Sequence, residues 1–253
     1  MNHRSPAALL DSRIPPAFAE QFAARGLSVL LLPPFRVLDE PVCCHPDMLA
    51  AVLGGRLLLP GRYYAEHAGL FAAFDPLVTD EPMGAGYPAD ILLNALCIGG
   101  SVYGRPEISV LLKESVRETG GFVPVRQGYA RCSVLVLEAA NAAVTADRGL
   151  SRALSAHGIE VLDISPGSIA LPGYDCGFIG GASAVVGREV LFFGSLDTHP
   201  DSGKITRFVT AHGYTPVSLP GLPLTDFGGC VLAGEGTGSR NFDEKAPFPR
   251  QPE

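Results

Sequence analysis

The sequence predicts an α/β propeller of five strand–strand–helix–strand units, closed by its own two ends. Three observations predict it. The phrase "SAHGIEVLDISPG" at 155–167 returns as "TAHGYTPVSLPG" at 210–221: a helix tail ending His-Gly, an extended apolar run, then Pro-Gly. Gly-Tyr introduces apolar runs at 86, 128 and 173, offsets of 42 and 45 residues that fit a repeat architecture. The two termini hold complementary fragments of one further unit.

The elements follow in chain order. "PAALLDS" (6–12), "PPAFAEQFAARG" (15–26) and "LSVLLLPP" (27–34) read as strand, helix and strand with no first strand. The first complete unit has strands "DMLAAVL" (47–53) and "GRLLLPG" (55–61), the helix "YYAEHAGLFAAF" (63–74) and the strand "PLVTD" (76–80). The second has "DILLNALCI" (90–98), "SVYG" (101–104), a helix over 106–120 that opens with proline and ends in glycine, and "FVPVRQ" (122–127). The third is the clearest. "CSVLVL" (132–137) and "NAAVTA" (141–146) precede a helix over 147–158, with Asp147 at the N-cap and Leu150, Ala153, Leu154 and His157 on one stripe. Gly158 stops that helix, and "IEVLDI" (159–164) follows. The fourth repeats the order with "GFIGGASAVV" (177–186), "REVLFFG" (188–194), a helix over 201–213 and "YTPVSL" (214–219). "GGCVLAG" (228–234) is then a lone strand, the piece the N-terminus lacks. Pairing the two ends makes a ring and removes exposed strand edges.

Composition bounds the function. A net charge of −7 argues against nucleic acid or an anionic membrane as partner and is compatible with a cationic small molecule. No apolar run approaches the roughly 18 residues a membrane span needs. The first residues lack the apolar stretch of a signal peptide, and the six cysteines read as free thiols, so the expected compartment is the cytoplasm. Residues 1–234 are expected to form a single domain, and 235–253 a polar Gly- and Pro-rich tail.

Five such units in a ring resemble the pentein, or guanidine-modifying-enzyme, superfamily. It includes arginine deiminases, dimethylarginine dimethylaminohydrolases, amidinotransferases and agmatine deiminases, and its fold also carries a non-enzymatic ribosome anti-association factor. "HPDML" (45–49) is similar to the Pro-Asp opening of the family's first unit. "ADIL" (89–92) is similar to its second-unit Gly-Asp-x-Leu, with Ala89 in place of Gly. "DFGGCVL" (226–232) is similar to the last-unit segment that carries the nucleophilic cysteine, which the resemblance places at Cys230. Where the fourth unit of the family has a histidine, this chain has Asp175 and Cys176, and the acid before the second-unit Gly-Asp has no counterpart.

The ring places the starts of the first strands at one end of a central channel. They bring Cys44, His45, Asp47, Tyr87, Asp90, Arg131, Cys132, Asp175, Cys176, Asp226 and Cys230 to that end. A guanidinium offers paired N–H donors that carboxylates accept two at a time. Attack on its carbon needs a thiolate, and a proton must reach the leaving amine. The catalytic candidates are therefore Cys230, His45 and Asp90, and the substrate-binding candidates are Asp47, Asp175, Arg131 and Asp226. No cofactor and no metal is expected, although Cys44, Cys132, Cys176 and Cys230 together with His45 offer soft ligands. The expected function is a cysteine-dependent enzyme, hydrolase or amidinotransferase in type, acting on a small guanidino or amidine compound. The alternative is a catalytically degenerate protein of this fold that binds a small molecule or a protein, with Cys230 an inert buried thiol.

Overall fold

Short apolar runs separated by Gly, Pro and Asp become short strands, and the longer amphipathic runs become helices. The structure, a computed structural model, describes residues 6–234. The tail expected over 235–253 lies outside them. The chain opens with β1 (Ala7–Asp11), α1 (Pro16–Ala23) and β2 (Ser28–Leu32). The first complete unit holds a helical turn α2 (Pro46–Leu49), then β3 (Ala51–Leu53), β4 (Arg56–Pro60), α3 (Gly61–Phe71) and β5 (Leu77–Thr79). The second holds β6 (Leu96–Ile98), β7 (Ser101–Gly104), α4 (Val110–Glu114) and β8 (Gly121–Pro124). The third holds β9 (Val134–Leu137), β10 (Ala142–Thr145), α5 (Arg148–Ala156) and β11 (Glu160–Asp163). The fourth holds β12 (Ser183–Val186), β13 (Glu189–Phe192), α6 (Ser202–Ala211) and β14 (Thr215–Ser218), and β15 (Val231–Ala233) ends the described chain.

The strands form five three-stranded sheets of one design. The first strand of each unit pairs antiparallel with the middle strand, and the middle strand pairs parallel with the third through the crossover helix. The fifth sheet has the order β15-β1-β2, with Ala7 opposite Ala233, Ala8 opposite Leu232 and Leu9 opposite Val231. The two ends of the chain thus complete one unit, and the expected closure is the observed one.

Burial shows how the units are joined. Side chains alternate across a strand, so each middle strand faces two neighbours at once. Ala7 and Leu9 of β1 pack with Leu57 and Leu59 of β4 and with Tyr63 and Phe71 of α3. Ala8 and Leu10 face the other way, with Phe18 and Phe22 of α1 and with Leu191 and Phe193. The same alternation fills the seams between the first and second units, the second and third, and the third and fourth. Five apolar seams therefore run around the ring, each holding the helix of one unit against the sheet of the unit before it. Middle strands buried on both faces read as continuous apolar runs for this reason.

Two expectations change. The helix expected over 106–120 is only Val110–Glu114. Ser109, not Pro106, is its cap: its hydroxyl accepts from the amide of Leu111 at 3.2 Å, and the Glu81 carboxylate takes the Val110 amide at 2.9 Å. Behind it the chain tightens into turns, with the amides of Arg117 and Thr119 bonded three residues back to Glu114 and Val116 at 3.1 Å. β-branched Val116 and Thr119 followed by Gly120 are weak helix formers. The first strands are also shorter than expected. The runs 47–49, 91–94 and 177–182 are not strand but turns that lead into one, closed by bonds such as Met48 N to His45 O, Asn94 N to Ile91 O and Ala182 N to Phe178 O, each between 2.9 and 3.1 Å. A buried turn and a buried strand look alike in hydropathy.

Candidate functional site

The turns ahead of the first strands position nearly every chemically active side chain, and they sort them into three groups. The first is a polar knot sealed inside the strand-start end of the ring. Asp11, at the end of β1 and fully buried, takes a forked pair of bonds from Arg13 at 2.9 and 2.6 Å, and Arg13 also donates to the carbonyls of Glu40 and Pro41. His45 lies between two carboxylates, its Nε2 3.7 Å from Asp11 and its Nδ1 3.9 Å from Asp226, too far for hydrogen bonds. Burial drives its pKa down, against the pull of Asp226 and Asp11. Asp226 accepts the amides of Gly228 and Phe178, each at 2.8 Å, which ties the last unit to the fourth. A Cβ at Gly181 would collide with that carboxylate, so glycine permits its close approach.

Asp47 faces Cys132 in the same knot. The Cys132 thiol donates to Asp47 Oδ2 at 2.8 Å and accepts from Asn94 Nδ2 at 2.9 Å. Asn94 Oδ1 takes the amides of Arg131 and Cys132 at 2.9 and 3.3 Å, so this one side chain fixes the third unit against the second. Burial, and then the charge of Asp226, push the Asp47 carboxyl up to about 8. Burial and the neighbouring carboxylates raise the Cys132 thiol well above its ordinary range.

The second group gathers at the same end, from residues that precede the entry turns; we call it the mouth because Tyr87 and Tyr174 there are exposed, while Asp90 lies buried. Asp90 is 5% exposed; one oxygen accepts the Tyr129 hydroxyl at 2.7 Å, and Oδ1 has no partner among the described residues. Burial raises its pKa, the Tyr129 bond opposes this, and the charge of Asp39 adds to the rise. The Tyr129 ring lies 5.6 Å from that of Tyr87 and 6.4 Å from that of Phe178. The Tyr174 hydroxyl donates to Asp39 at 3.0 Å, which joins the fourth unit's entry loop to the loop ahead of the first. Tyr87 and Tyr174 are both exposed. Every Gly-Tyr pair that marks a repeat in the sequence therefore delivers a tyrosine to one place.

The third group lines a cavity of about 270 Å³ along the ring's axis, walled by residues from all five first strands and the turns ahead of them. Cys230 is here, with Arg131, Cys97 and Glu138. Burial pushes the Cys230 thiol up to about 12, opposed by the positive charge of Arg131. Its sulfur makes no hydrogen bond among the described residues, and no imidazole is within hydrogen-bonding reach of it.

The structure therefore gathers His45, Asp47 and Asp226 in the knot, puts Asp90 at the mouth, and sets Cys230 and Arg131 in the axial cavity. Asp175 is exposed, and its carboxylate has no hydrogen bond or ion pair among the described residues; its neighbour Tyr174 reaches the mouth instead. The thiols named as soft ligands do not gather with other His, Cys, Asp or Glu side chains into a group of three placed to hold a metal, among the described residues. Sequence reasoning missed Asp11, Asn94, Asp39 and Glu138. Asn94 and Asp11 carried a signal: each is a lone polar residue in or at the end of a run buried on both sides. No described helix is long and apolar enough to cross a membrane.

Solved structures share this arrangement. A mutant of the dimethylarginine dimethylaminohydrolase from Pseudomonas aeruginosa, complexed with citrulline, superposes with a TM-score of 0.52 at 10% identity, over 87% of this chain and 93% of that one. A dimethylarginine dimethylaminohydrolase mutant as its adduct with S-methyl-L-thiocitrulline gives 0.55 at 9% identity, over 86% and 93%. SxtG, an amidinotransferase from Microseira wollei in the saxitoxin biosynthetic pathway, gives 0.52 at 10% identity, over 93% and 80%. The fold is that of the pentein superfamily. Residues 9–231 match the family of unknown function DUF6873, and the chain belongs to that family. Comparison with curated proteins gives no match.

Proposed function

We propose that the protein binds a small cation of the guanidino or amidine class at the mouth formed by Asp90, Asp39 and the three tyrosines, as a binding member of the pentein fold. One observation carries this reading: Asp90 is buried, gives one oxygen to Tyr129 and leaves the other without a donor. An unmet carboxylate oxygen is costly in a protein. A planar cation with paired N–H groups supplies the missing donors, and tyrosine faces attract positive charge. The S-methyl-L-thiocitrulline of one fold neighbour, an amidine-like isothiourea, supports the class, and the citrulline of another is the urea counterpart of a guanidino compound. Because burial raises the Asp90 pKa, affinity depends on an ionisation above the ordinary carboxylate range and falls as the pH drops through it.

Binding without turnover is favoured by the state of the thiol. Guanidine attack needs a thiolate and a proton carrier, whereas Cys230 is held protonated by burial and His45 is enclosed by carboxylates. In this reading Asp47 and Asp226 hold the frame. A second reading, a cysteine-dependent reaction through Cys230, is favoured by its place in the axial cavity beside the positive charge of Arg131. Calorimetric titration with methylguanidine and agmatine separates them. Saturable binding is expected, weakened roughly tenfold or more in Asp90→Asn and weakened at acid pH. No binding, or equal binding in the variant, overturns the first reading. Ammonia release from the same compounds, abolished in Cys230→Ala, would put the second in its place.

A further inference from the structure

The axial cavity has a charge pattern that the cation-binding mouth leaves unused. Its walls are more apolar than polar, with residues such as Val52, Leu135 and Val231, and two charged residues stand among them. Arg131 precedes β9, and Glu138 directly follows it. Four strand residues rise roughly 13 Å, so the cation and the carboxylate are set toward opposite ends of the wall. They do not reach each other: no carboxylate is within ion-pair distance of the Arg131 guanidinium among the described residues, and its side chain makes no hydrogen bond there. Glu138 is partly buried, which raises its pKa, and the nearby Gly99 amide opposes that rise. Partly buried opposite charges that line one cavity without meeting each other leave room for a ligand that bridges them.

From this geometry we infer that the axial cavity is a binding site for a short aminocarboxylate, its carboxylate on Arg131, its methylene chain along the apolar wall and its ammonium group toward Glu138. Arg131 offers a planar fork of donors matched to a carboxylate. Glu138 at the other end disfavours a dicarboxylate and admits an amine. The volume of about 270 Å³ suits a molecule of amino-acid size. Cys230 sits in the same wall and reports on occupancy, since a bound ligand shields its sulfur. The site is separate from the Asp90 mouth and does not depend on it.

The test uses the full chain with γ-aminobutyrate and ε-aminocaproate as probes, and caproate and n-hexylamine as single-charge controls. Calorimetry is expected to show an aminocarboxylate binding at least about tenfold more tightly than either control. Arg131→Met abolishes that binding, and Glu138→Gln levels the preference for the aminocarboxylate over caproate. The same probe slows alkylation of Cys230 by iodoacetamide, read by peptide mass spectrometry. Alkylation of Cys176, which does not line the cavity, is unchanged. Should Arg131→Met fail to fold, Glu138→Gln and Cys230 protection decide the matter. Absence of binding by both aminocarboxylates, or an undiminished preference in Glu138→Gln, overturns the inference. Methylguanidine binding that persists while aminocaproate fails sinks this site alone; the reverse sinks the mouth alone.

Discussion

Asp47 is where charge and stability meet most directly in this protein. It is wholly enclosed, its Oδ2 takes the Cys132 thiol, and Oδ1 has no partner among the described residues. Burial and the nearby Asp226 push its carboxyl up to about 8, whereas an aspartate in the unfolded chain ionises near pH 4, about 3.9. Between those values the folded protein holds a proton that the unfolded chain has released. Protons bound to the folded state exceed those bound to the unfolded one, so stability declines as pH rises through this window, at most about 1.4 kcal/mol per pH unit. Asp47→Asn removes the titration and keeps an acceptor for Cys132. Urea denaturation is expected to show the wild-type midpoint falling between mildly acid and neutral pH while the variant's curve is flatter, so that the variant gains on it toward neutrality. A wild-type midpoint independent of pH, or the same slope in both proteins, would show that Asp47 does not hold its proton. This residue is a candidate substrate clamp by its sequence position, and the structure buries it against Cys132.

Helix ends explain why some elements could be foreseen and others not. Asp147 caps α5 as its sequence position implies, accepting the amides of Gly149 and Leu150 at 2.7 and 2.8 Å, and it also accepts Gln127 at 3.0 Å. Asp147→Ala is expected to cost about 1 kcal/mol, read as a lower thermal midpoint with unchanged helix content in the folded state; an unchanged midpoint would deny the cap any weight. At the other end, Gly158 and Gly213 turn left-handed at φ +77° and +76° just beyond α5 and α6, and the imidazoles of His157 and His212 each lie 2.8 Å from a helix carbonyl. Such signals are local, so the helices of the third and fourth units, and the second and third strands beside them, were legible almost residue by residue. The entry turns were not. "DILLN" has the hydropathy of a strand; a local bond from Asn94 N to Ile91 O bends it, and the Asn94 side chain then takes two amides of the third unit. Those bonds join residues 37 and 38 positions apart, a separation that hydrophobic periodicity does not carry. For the same reason the rim acids were found by type and misplaced in depth. The sequence puts Asp47, Asp90 and Asp226 at strand starts, but all three are buried, and the partners each meets come from other units. The Gly-Tyr pairs were visible as punctuation, and their side chains acquire a role only when three units meet.

The ring as a whole has no privileged break. Each seam contains the same parts, a helix from one unit and sheets from two, and the seam between the split unit and the first unit includes Val231 and Ala233 of β15. The chain's ends fall in the antiparallel connection between a first strand and its middle strand, and in the other units that connection is a hairpin. In the second unit it is Gly99-Gly100, both left-handed at φ +60° and +75°, between β6 and β7. A permuted chain that joins residue 234 to residue 6 by a short Gly/Ser linker and opens between Gly99 and Gly100 recreates the natural arrangement two units further on. β7 becomes the first strand in sequence and β6 the last. Because Ala7 lies opposite Ala233, the linker spans only a hairpin's width. The permutant is therefore expected to keep the far-ultraviolet circular dichroism of the parent and to melt within a few degrees of it. Ending the chain at Gly229 is expected to do the opposite. It strips β15 from β1, exposes the edge of a fully buried strand and removes two side chains from one seam, so the product should associate or precipitate. A permutant that fails to fold while the truncated chain stays monomeric and cooperative would mean that the pairing of Leu9 with Val231 does not close the molecule.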